Sequence, residues 1–270
     1  MNSAKLQRFF EQRRARNEPL VLVSVTSTEG STYSKAGDLM LIDQNGVACG
    51  MLSGGCLESD LAARAQVVLE SGEPQSVTYE LASGDDDVWG LGIGCDGSMV
   101  IGLQRIRSED DYAPLEIPAP ISLLILGAGL DAVPLARLAA EMGWHSTVVD
   151  HRPAYIEHNQ FPEDCDKHCL EPSRLAATLN LAKFDAAIVM SHHLASDRTY
   201  LQQLAGTDIS YIALLGPAAR KDKLLADLGG AASTLQDRVN GPAGLSLGGR
   251  GPEVIALSIV AQVQQALSAD

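Results

Sequence analysis

Apolar and polar positions alternate over residues 20–25, which predicts a strand, and residues 26–32 that follow are polar and predict a turn. Two short apolar runs, 38–42 and 47–51, are joined through Asn45-Gly46, a pair that favours a tight hairpin. Over residues 57–69 the period lengthens to that of a helix, with Leu57, Leu61, Ala65 and Val68 on one face. Gly72 and Pro74 supply a stop. Residues 75–81 and 98–106 read as further strands on either side of an acidic, glycine-rich loop. The expected first unit is a mixed sheet covered by at least one helix.

Residues 107–120 interrupt this pattern with Glu109, Asp110, Asp111 and Glu116 among Pro114, Pro118 and Pro120. Such a segment is solvated and stiff, as a linker is. Beyond it strands and helices alternate. Strands are predicted at 121–126, 146–149, 186–190 and 211–215, and a helix at 130–142. The last helix, 252–267, has Pro252 in its first turn and a stripe of Ile255, Ile259, Val263 and Leu267. Alternation of this kind predicts a parallel sheet with helices on both faces. The fold class is therefore α/β: an N-terminal mixed α/β domain over 1–106, a linker over 107–120, and a Rossmann-like doubly wound parallel-sheet domain over 121–270.

Composition narrows the function. The 270 residues are 46% hydrophobic and 20% charged, as in a globular chain, and a net charge of −14 opposes nucleic acid or an anionic membrane surface. Lys5, Arg8, Arg13, Arg14 and Arg16 form a local basic cluster in the opening helix, read as a solvated face or as a docking surface for an acidic partner. No apolar run reaches the length of a membrane span, and no signal-peptide core opens the chain. Five cysteines without a disulfide pattern fit free thiols in a cytoplasmic protein.

Gly127-Ala128-Gly129-Leu130-Asp131-Ala132 follows a predicted strand and opens a helix, the context of a dinucleotide-binding turn. Asp150 ends the next strand, where an acid bonds a ribose hydroxyl, and Arg152 beside it offers a phosphate contact. Asp131 favours the helix dipole but opposes an incoming pyrophosphate. Gly127, Gly129, Asp150, Arg152 and His192 are thus candidate nucleotide-binding residues, against a turn that serves only packing. His192 and His193 follow the strand at 186–190, at the end where open sheets bind ligands. Cys165 and Cys169 flank His168 but lack a second ligand pair at zinc-site spacing.

Two loops concentrate the chemistry. Gly54-Gly55-Cys56-Leu57-Glu58 sets a thiol near a helix N-terminus, where amides and the dipole favour a thiolate, and Glu58 is a further hydrogen-bond acceptor for a ligand. Gly90-Leu91-Gly92-Ile93-Gly94-Cys95-Asp96-Gly97 surrounds a second thiol with four glycines. Residues 1–106 contain no histidine, so a Cys–His catalytic pair is not available there. A soft thiolate without a base suits molybdenum, copper or sulfur transfer better than proton chemistry.

The sequence resembles the xanthine dehydrogenase accessory proteins, the XdhC family, over nearly its whole length. The resemblance is carried by Met51 to Glu58, by Trp89 to Gly97, by Val149-Asp150-His151-Arg152-Pro153, by Met190-Ser191-His192 and by Gly241-Pro242-Ala243-Gly244-Leu245. It implies a chaperone, not a turnover enzyme. Such a protein binds molybdenum cofactor (molybdopterin), stabilises or sulfurates it, and inserts it into a xanthine dehydrogenase-type molybdenum hydroxylase. A cysteine desulfurase is an implied second partner, and a homodimer the implied assembly. Cofactor-binding residues on this reading are Lys35, Gly54, Gly55, Cys56, Glu58, Gly92, Gly94, Cys95, Asp96 and Gly97, with Cys95 facing the metal or its terminal sulfur. The chain departs from the family at Tyr33-Ser34, where Pro-Arg is usual, leaving Lys35 as the nearby cation. It departs again at Leu130-Asp131, where His-Val is commoner, at Asn240, where histidine is frequent, and at Ser246, where an acid is frequent. Two other readings predict different behaviour. An NAD(P)-dependent oxidoreductase would use Asp150 on the ribose and His192 as acid/base. A purely structural partner-binding protein would need neither cysteine.

Overall fold

The computed structural model describes residues 3–81, 97–106 and 119–268. The chain divides into two compact units, Met1–Ala119 and Pro120–Asp270. The predicted linker lies, but for its last two residues, outside the described residues.

In the first unit helix α1 (Ser3–Ala15) precedes strands β1 (Leu20–Gly30), β2 (Leu39–Asp43) and β3 (Ala48–Cys49), then helix α2 (Glu58–Ser71), β4 (Gln75–Glu80) and β5 (Gly97–Ile106). The strands lie in the order β3-β2-β1-β5-β4. Every pairing is antiparallel, which corrects the expectation of a mixed sheet. Antiparallel neighbours need only short returns, and Asn45-Gly46 provides one between β2 and β3, with Gly46 at φ +78.

The period of two divides the side chains cleanly. Val21, Val23, Val25, Met40, Ile42 and Ile101 face α2, whose Leu61, Ala65 and Val68 are fully buried against them. On the opposite face Leu20, Leu41 and Ile106 are buried, together with Leu6 of α1. Arg13 of α1 does not join a solvated basic face. It grips the buried Asp43 through Nε at 3.0 Å and Nη2 at 2.8 Å and stacks on Phe9. Gly72 ends α2 in the left-handed conformation.

The expected turn at 26–32 is largely strand. After an irregularity between Val25 and Ser27, β1 continues to Gly30, paired residue by residue with β5 down to Gly97. Its Ser and Thr side chains are polar because that stretch is exposed, while the backbone still completes the ladder. Side-chain polarity alone concealed this.

The second unit contains β6 (Ser122–Leu126), α3 (Ala132–Glu141), β7 (His145–Asp150), α4 (Pro153–His158), β8 (Asp166–Cys169), α5 (Leu175–Thr178) and β9 (Ala186–Val189). It continues with α6 (Leu194–Leu204), β10 (Tyr211–Leu214), α7 (Ala218–Asp227), α8 (Ala232–Leu235), β11 (Val239–Asn240) and α9 (Pro252–Leu267). All six strands are parallel, in the order β11-β10-β9-β6-β7-β8. The chain therefore winds outward from β6 to β8, returns, and winds outward again from β9 to β11, the doubly wound arrangement expected. Its switch point lies between β6 and β9, where such sheets open a crevice beyond the strand ends.

The central strands are buried on both faces and read as continuous apolar runs. One face packs Leu135, Ala136 and Ala139 of α3 against Ile259 and Val263 of α9. Ile255 and Leu267 border that cluster, only partly buried. The other face packs Leu175, Tyr200, Leu201, Leu204 and Leu224 from α5, α6 and α7. The strands without an apolar signature are β8, an edge strand whose residues are largely exposed, and the two-residue β11.

Candidate functional site

In the first unit, the loop before α2 is organised around one carboxylate. Glu58 Oε1 accepts the amides of Leu52 at 3.0 Å and Ser53 at 2.9 Å. Its Oε2 accepts the Ser53 hydroxyl at 2.5 Å and the amides of Gly55 at 2.9 Å and Leu57 at 3.2 Å. The Ser53 hydroxyl accepts the Leu57 amide in turn, at 2.7 Å. Burial pushes the Glu58 carboxyl up, but the Ser53 hydroxyl and the amides of Ser53, Leu52 and Glu58 itself outweigh it and hold the group below the usual carboxylate range. Glu58 is thus an internal anion for a nest of backbone donors. Four amides of the loop are committed to it; those of Gly54 and Cys56 are not among them.

Gly54 and Gly55 have φ +73 and +111, which lets the loop wrap the carboxylate. A Cβ on Gly55 would meet nothing within 4 Å, so its outer face is open. One on Gly54 would lie 3.5 Å from the Tyr33 ring. The Cys56 side chain is half-buried and leans on the core beneath α2.

Tyr33 belongs to the turn that leaves β1. Thr32 and Ser34 are buried there, while Tyr33 and Lys35 are exposed. Thr32 Oγ1 donates to the Ser34 carbonyl at 2.7 Å and accepts Lys35 Nζ at 3.3 Å. Gly97, the first residue of β5, approaches the same turn so closely that a Cβ would lie 2.8 Å from the Ser31 carbonyl oxygen. The Leu81 amide donates to the Gly97 carbonyl at 2.8 Å. The structure therefore brings Gly54, Lys35 and Gly97 to one end of the sheet. Gly92, Gly94, Cys95 and Asp96 lie outside the described residues. Tyr33, which covers Gly54, was noted in the sequence only as a departure from a family pattern.

In the second unit the Rossmann turn sits at the switch point. Gly127, at φ +123, passes so near β9 that a Cβ would lie 2.6 Å from the Met190 carbonyl. Asn159 Nδ2 holds the Ala128 carbonyl at 2.6 Å. Asp150, 1% exposed, accepts the Ala128 amide at 2.8 Å and the Arg152 amide at 2.9 Å. Arg152 also donates Nε to Oδ1 at 2.8 Å and Nη2 to Oδ2 at 2.7 Å. Four donors fill the lone-pair sites of one carboxylate. Burial pushes Asp150 up, and the Arg152 and Ala128 bonds more than reverse it. The residue expected to meet a ribose is thus engaged by donors of its own unit.

The Arg152 guanidinium lies over the Tyr155 ring, 3.9 Å from its centroid. Both border an open cavity of about 660 Å³, with Gly129, Asp131, His158 and His192. Across the switch point His192 Nε2 meets Asp131 Oδ2 at 2.7 Å. Deeper in the sheet end, Asp197 accepts the Ser191 hydroxyl at 2.5 Å and Arg220 Nη2 at 2.6 Å, which anchors the strand end that carries His192. His193 turns away and caps α6 through its Nδ1, which accepts the Ser196 amide at 3.3 Å. Cys165 is buried, Cys169 is exposed, and no cluster of three metal-ligating side chains occurs among the described residues.

Comparison with known proteins decides the family. Residues 123–263 match the family model of the XdhC Rossmann domain, and residues 13–80 that of the XdhC and CoxI family. The chain belongs to the XdhC family. This XdhC protein is 30% identical to a probable xanthine dehydrogenase subunit of Bacillus subtilis (strain 168), over 92% of its own length and 93% of the relative's. It is 22% identical to PaoD of Escherichia coli (strain K12), a molybdenum cofactor insertion chaperone, over 90% and 82% of the two chains. The crystal structure of a xanthine dehydrogenase from Bacillus halodurans superposes with a TM-score of 0.82 and 27% identity, covering 99% of this chain and 96% of that one. The resemblance expected from the sequence motifs is borne out, and both the glycine-cysteine loop at 54–58 and the switch-point residues fall within the matched regions.

Proposed function

We propose that this XdhC protein binds molybdenum cofactor and delivers it to a xanthine dehydrogenase-type molybdenum hydroxylase, as an accessory chaperone without turnover of its own. The observation that carries the reading is the assembly of the Glu58-organised loop, the Tyr33–Lys35 turn and Gly97 at one end of the first sheet. Its relationship to a cofactor insertion chaperone supports the same reading.

The described residues fit such a group. Gly55 offers an open backbone face, Cys56 a soft thiol, Tyr33 an exposed ring and Lys35 a cation for the pterin phosphate. Because Glu58 already holds the amides of Leu52, Ser53, Gly55 and Leu57, its role is to shape the loop, and the phosphate falls to Lys35 and to donors outside that nest. Gly92, Gly94, Cys95 and Asp96 complete the site by sequence motif, with Cys95 toward the metal or its sulfur. When bound, the cofactor supplies molybdenum and a terminal sulfur ligand. The chain's part is to hold the pterin, shield the sulfur from water and release both to the client. In this reading a cysteine desulfurase provides the sulfur, and a cytoplasmic homodimer is the working form.

The oxidoreductase alternative needs Asp150 free for a ribose, and the Arg152 grip argues against it. The test is to purify the protein anaerobically from a host that makes the cofactor and to measure its molybdenum and pterin. Near-stoichiometric amounts of both, lost in Cys95→Ala, are expected. Absence of both in the wild-type protein overturns the proposal.

A further inference from the structure

The Rossmann turn of the second unit already contains an anion. Asp131 opens α3, yet its side chain does not cap the helix. Its carboxylate instead leans back over Gly129, where Oδ1 would lie 2.8 Å from a Cβ if one were present. That hollow is the place at which a Rossmann turn lets a pyrophosphate approach the backbone, at the positive end of the helix dipole. Oδ1 is buried there and has no hydrogen-bond partner among the described residues. Oδ2 is held at 2.7 Å by His192, which reaches across the switch point from the end of β9 with its backbone at φ +59.

An orphaned carboxylate oxygen beside a glycine hollow is costly to keep, since a buried acceptor without a donor forfeits its solvation. The Gly127 and Ala128 amides are already engaged by Val149 and Asp150, so phosphate oxygens in the same hollow would turn to the amides that open α3 and to the His192 ring, and the Asp131 carboxylate would return to water. The neighbouring cavity of about 660 Å³, walled by Arg152 stacked on Tyr155, has room for the nucleoside attached to such a phosphate.

We infer that Asp131 and His192 form an autoinhibitory latch, in which the Asp131 carboxylate occupies the diphosphate seat of the Rossmann turn and a nucleoside diphosphate group must displace it to bind. The inference rests on the reading that the second unit accepts a phosphate-bearing ligand at its switch point, and is independent of molybdenum in the first unit. Displacement frees His192 to meet the phosphate. The two residues therefore act in opposite directions on the same ligand.

The test is isothermal titration of the full-length protein with ADP, NAD⁺ and inorganic phosphate, comparing wild type, Asp131→Ala, Asp131→Asn and Asp131→Ala/His192→Ala. Circular dichroism and melting temperature serve as the check on folding. ADP is expected to bind Asp131→Ala at least tenfold more tightly than wild type, Asp131→Asn by an intermediate factor, and the double variant no better than wild type. A gain for ADP and NAD⁺ that exceeds the gain for inorganic phosphate identifies a nucleotide as the source of the phosphate. Equal ADP affinity in wild type and a folded Asp131→Ala or Asp131→Asn overturns the latch while leaving the site. No ADP or phosphate binding to any folded variant at millimolar concentration overturns the phosphate site and the latch with it. Neither result bears on molybdenum content.

Discussion

Arg152 grips Asp150 through two parallel hydrogen bonds, at 2.8 and 2.7 Å, and thereby turns the expected ribose acid into an internal strut. The carboxylate also holds the Ala128 amide, so the ion pair fixes the Gly127–Gly129 turn. The acid expected at a ribose therefore also braces the turn that would carry the ligand.

Arg152→Ala should therefore destabilise the second unit, because it leaves a buried carboxylate with much less compensation. The expected loss is about 3 kcal/mol, read from denaturant unfolding. Arg152→Lys should recover only part of it, since an ammonium cannot reproduce the two-pronged geometry. Equal stability of wild type and Arg152→Ala would show that the pair does not brace the turn.

Glu58 plays the corresponding part in the first unit. Glu58→Gln removes the charge from its nest, and about 2 kcal/mol of stability should be lost at neutral pH. The folded carboxyl lies below its unfolded value, so this contribution is present above the ordinary glutamate range of about 4.3 and fades as pH falls through the lower folded value. The stability difference between wild type and Glu58→Gln should accordingly hold constant down to about pH 5 and shrink from there into strong acid. A constant difference across that window would remove Glu58 as the titrating group.

Two glycines with similar positive φ should respond differently to alanine. At Gly127 the methyl would press on the Met190 carbonyl at 2.6 Å, with φ +123, and about 3 kcal/mol should be lost. At Gly55 the methyl meets open space, so only the strain of φ +111 remains, about 1–2 kcal/mol. Thermal unfolding of the two variants compares them directly. Gly55→Ala should in addition lower the cofactor content of protein purified from a cofactor-making host, because the methyl covers the proposed binding face.

The cysteines of the β8 region are separable by reactivity. Burial, helped by Asp166 and Asp164, pushes the Cys165 thiol up to about 12, and only 6% of the residue is exposed. Cys169 is exposed. Maleimide labelling of the native protein at neutral pH, followed by peptide mass spectrometry, should modify Cys169 and leave Cys165 intact, whereas both should react in denaturant. Prompt labelling of native Cys165 would contradict its packing in the core beside α3.

Much of the fold was legible because it is written in local periodicity. The final helix occupies Pro252–Leu267 as the stripe of Ile259 and Val263 requires, and the apolar strands β6, β9 and β10 start within a residue of their expected positions. Less legible were elements whose stability comes from pairing rather than burial, such as β8 and the outer half of β1, since hydrogen bonds between backbones leave no mark on side-chain type. The candidate residues of each unit were legible as chemistry: Lys35, Cys56 and Glu58 in the first, and Asp150, Arg152 and His192 in the second, stand out by residue type and by their place near a glycine loop or a predicted strand end.

The family, the two-part α/β organisation and the glycine turns can be read from the chain before it folds, because motifs and hydrophobic period are properties of neighbouring residues. Which polar groups are already engaged depends on contacts that exist only in the folded chain. Glu58 and Asp150 read as ligands for a guest, yet each is filled by donors of its own chain, and Asp131 meets a histidine that lies 61 positions away. Hydrogen bonds are saturable and directional, so the group that reaches a carboxylate first in the folded chain determines what remains for a ligand.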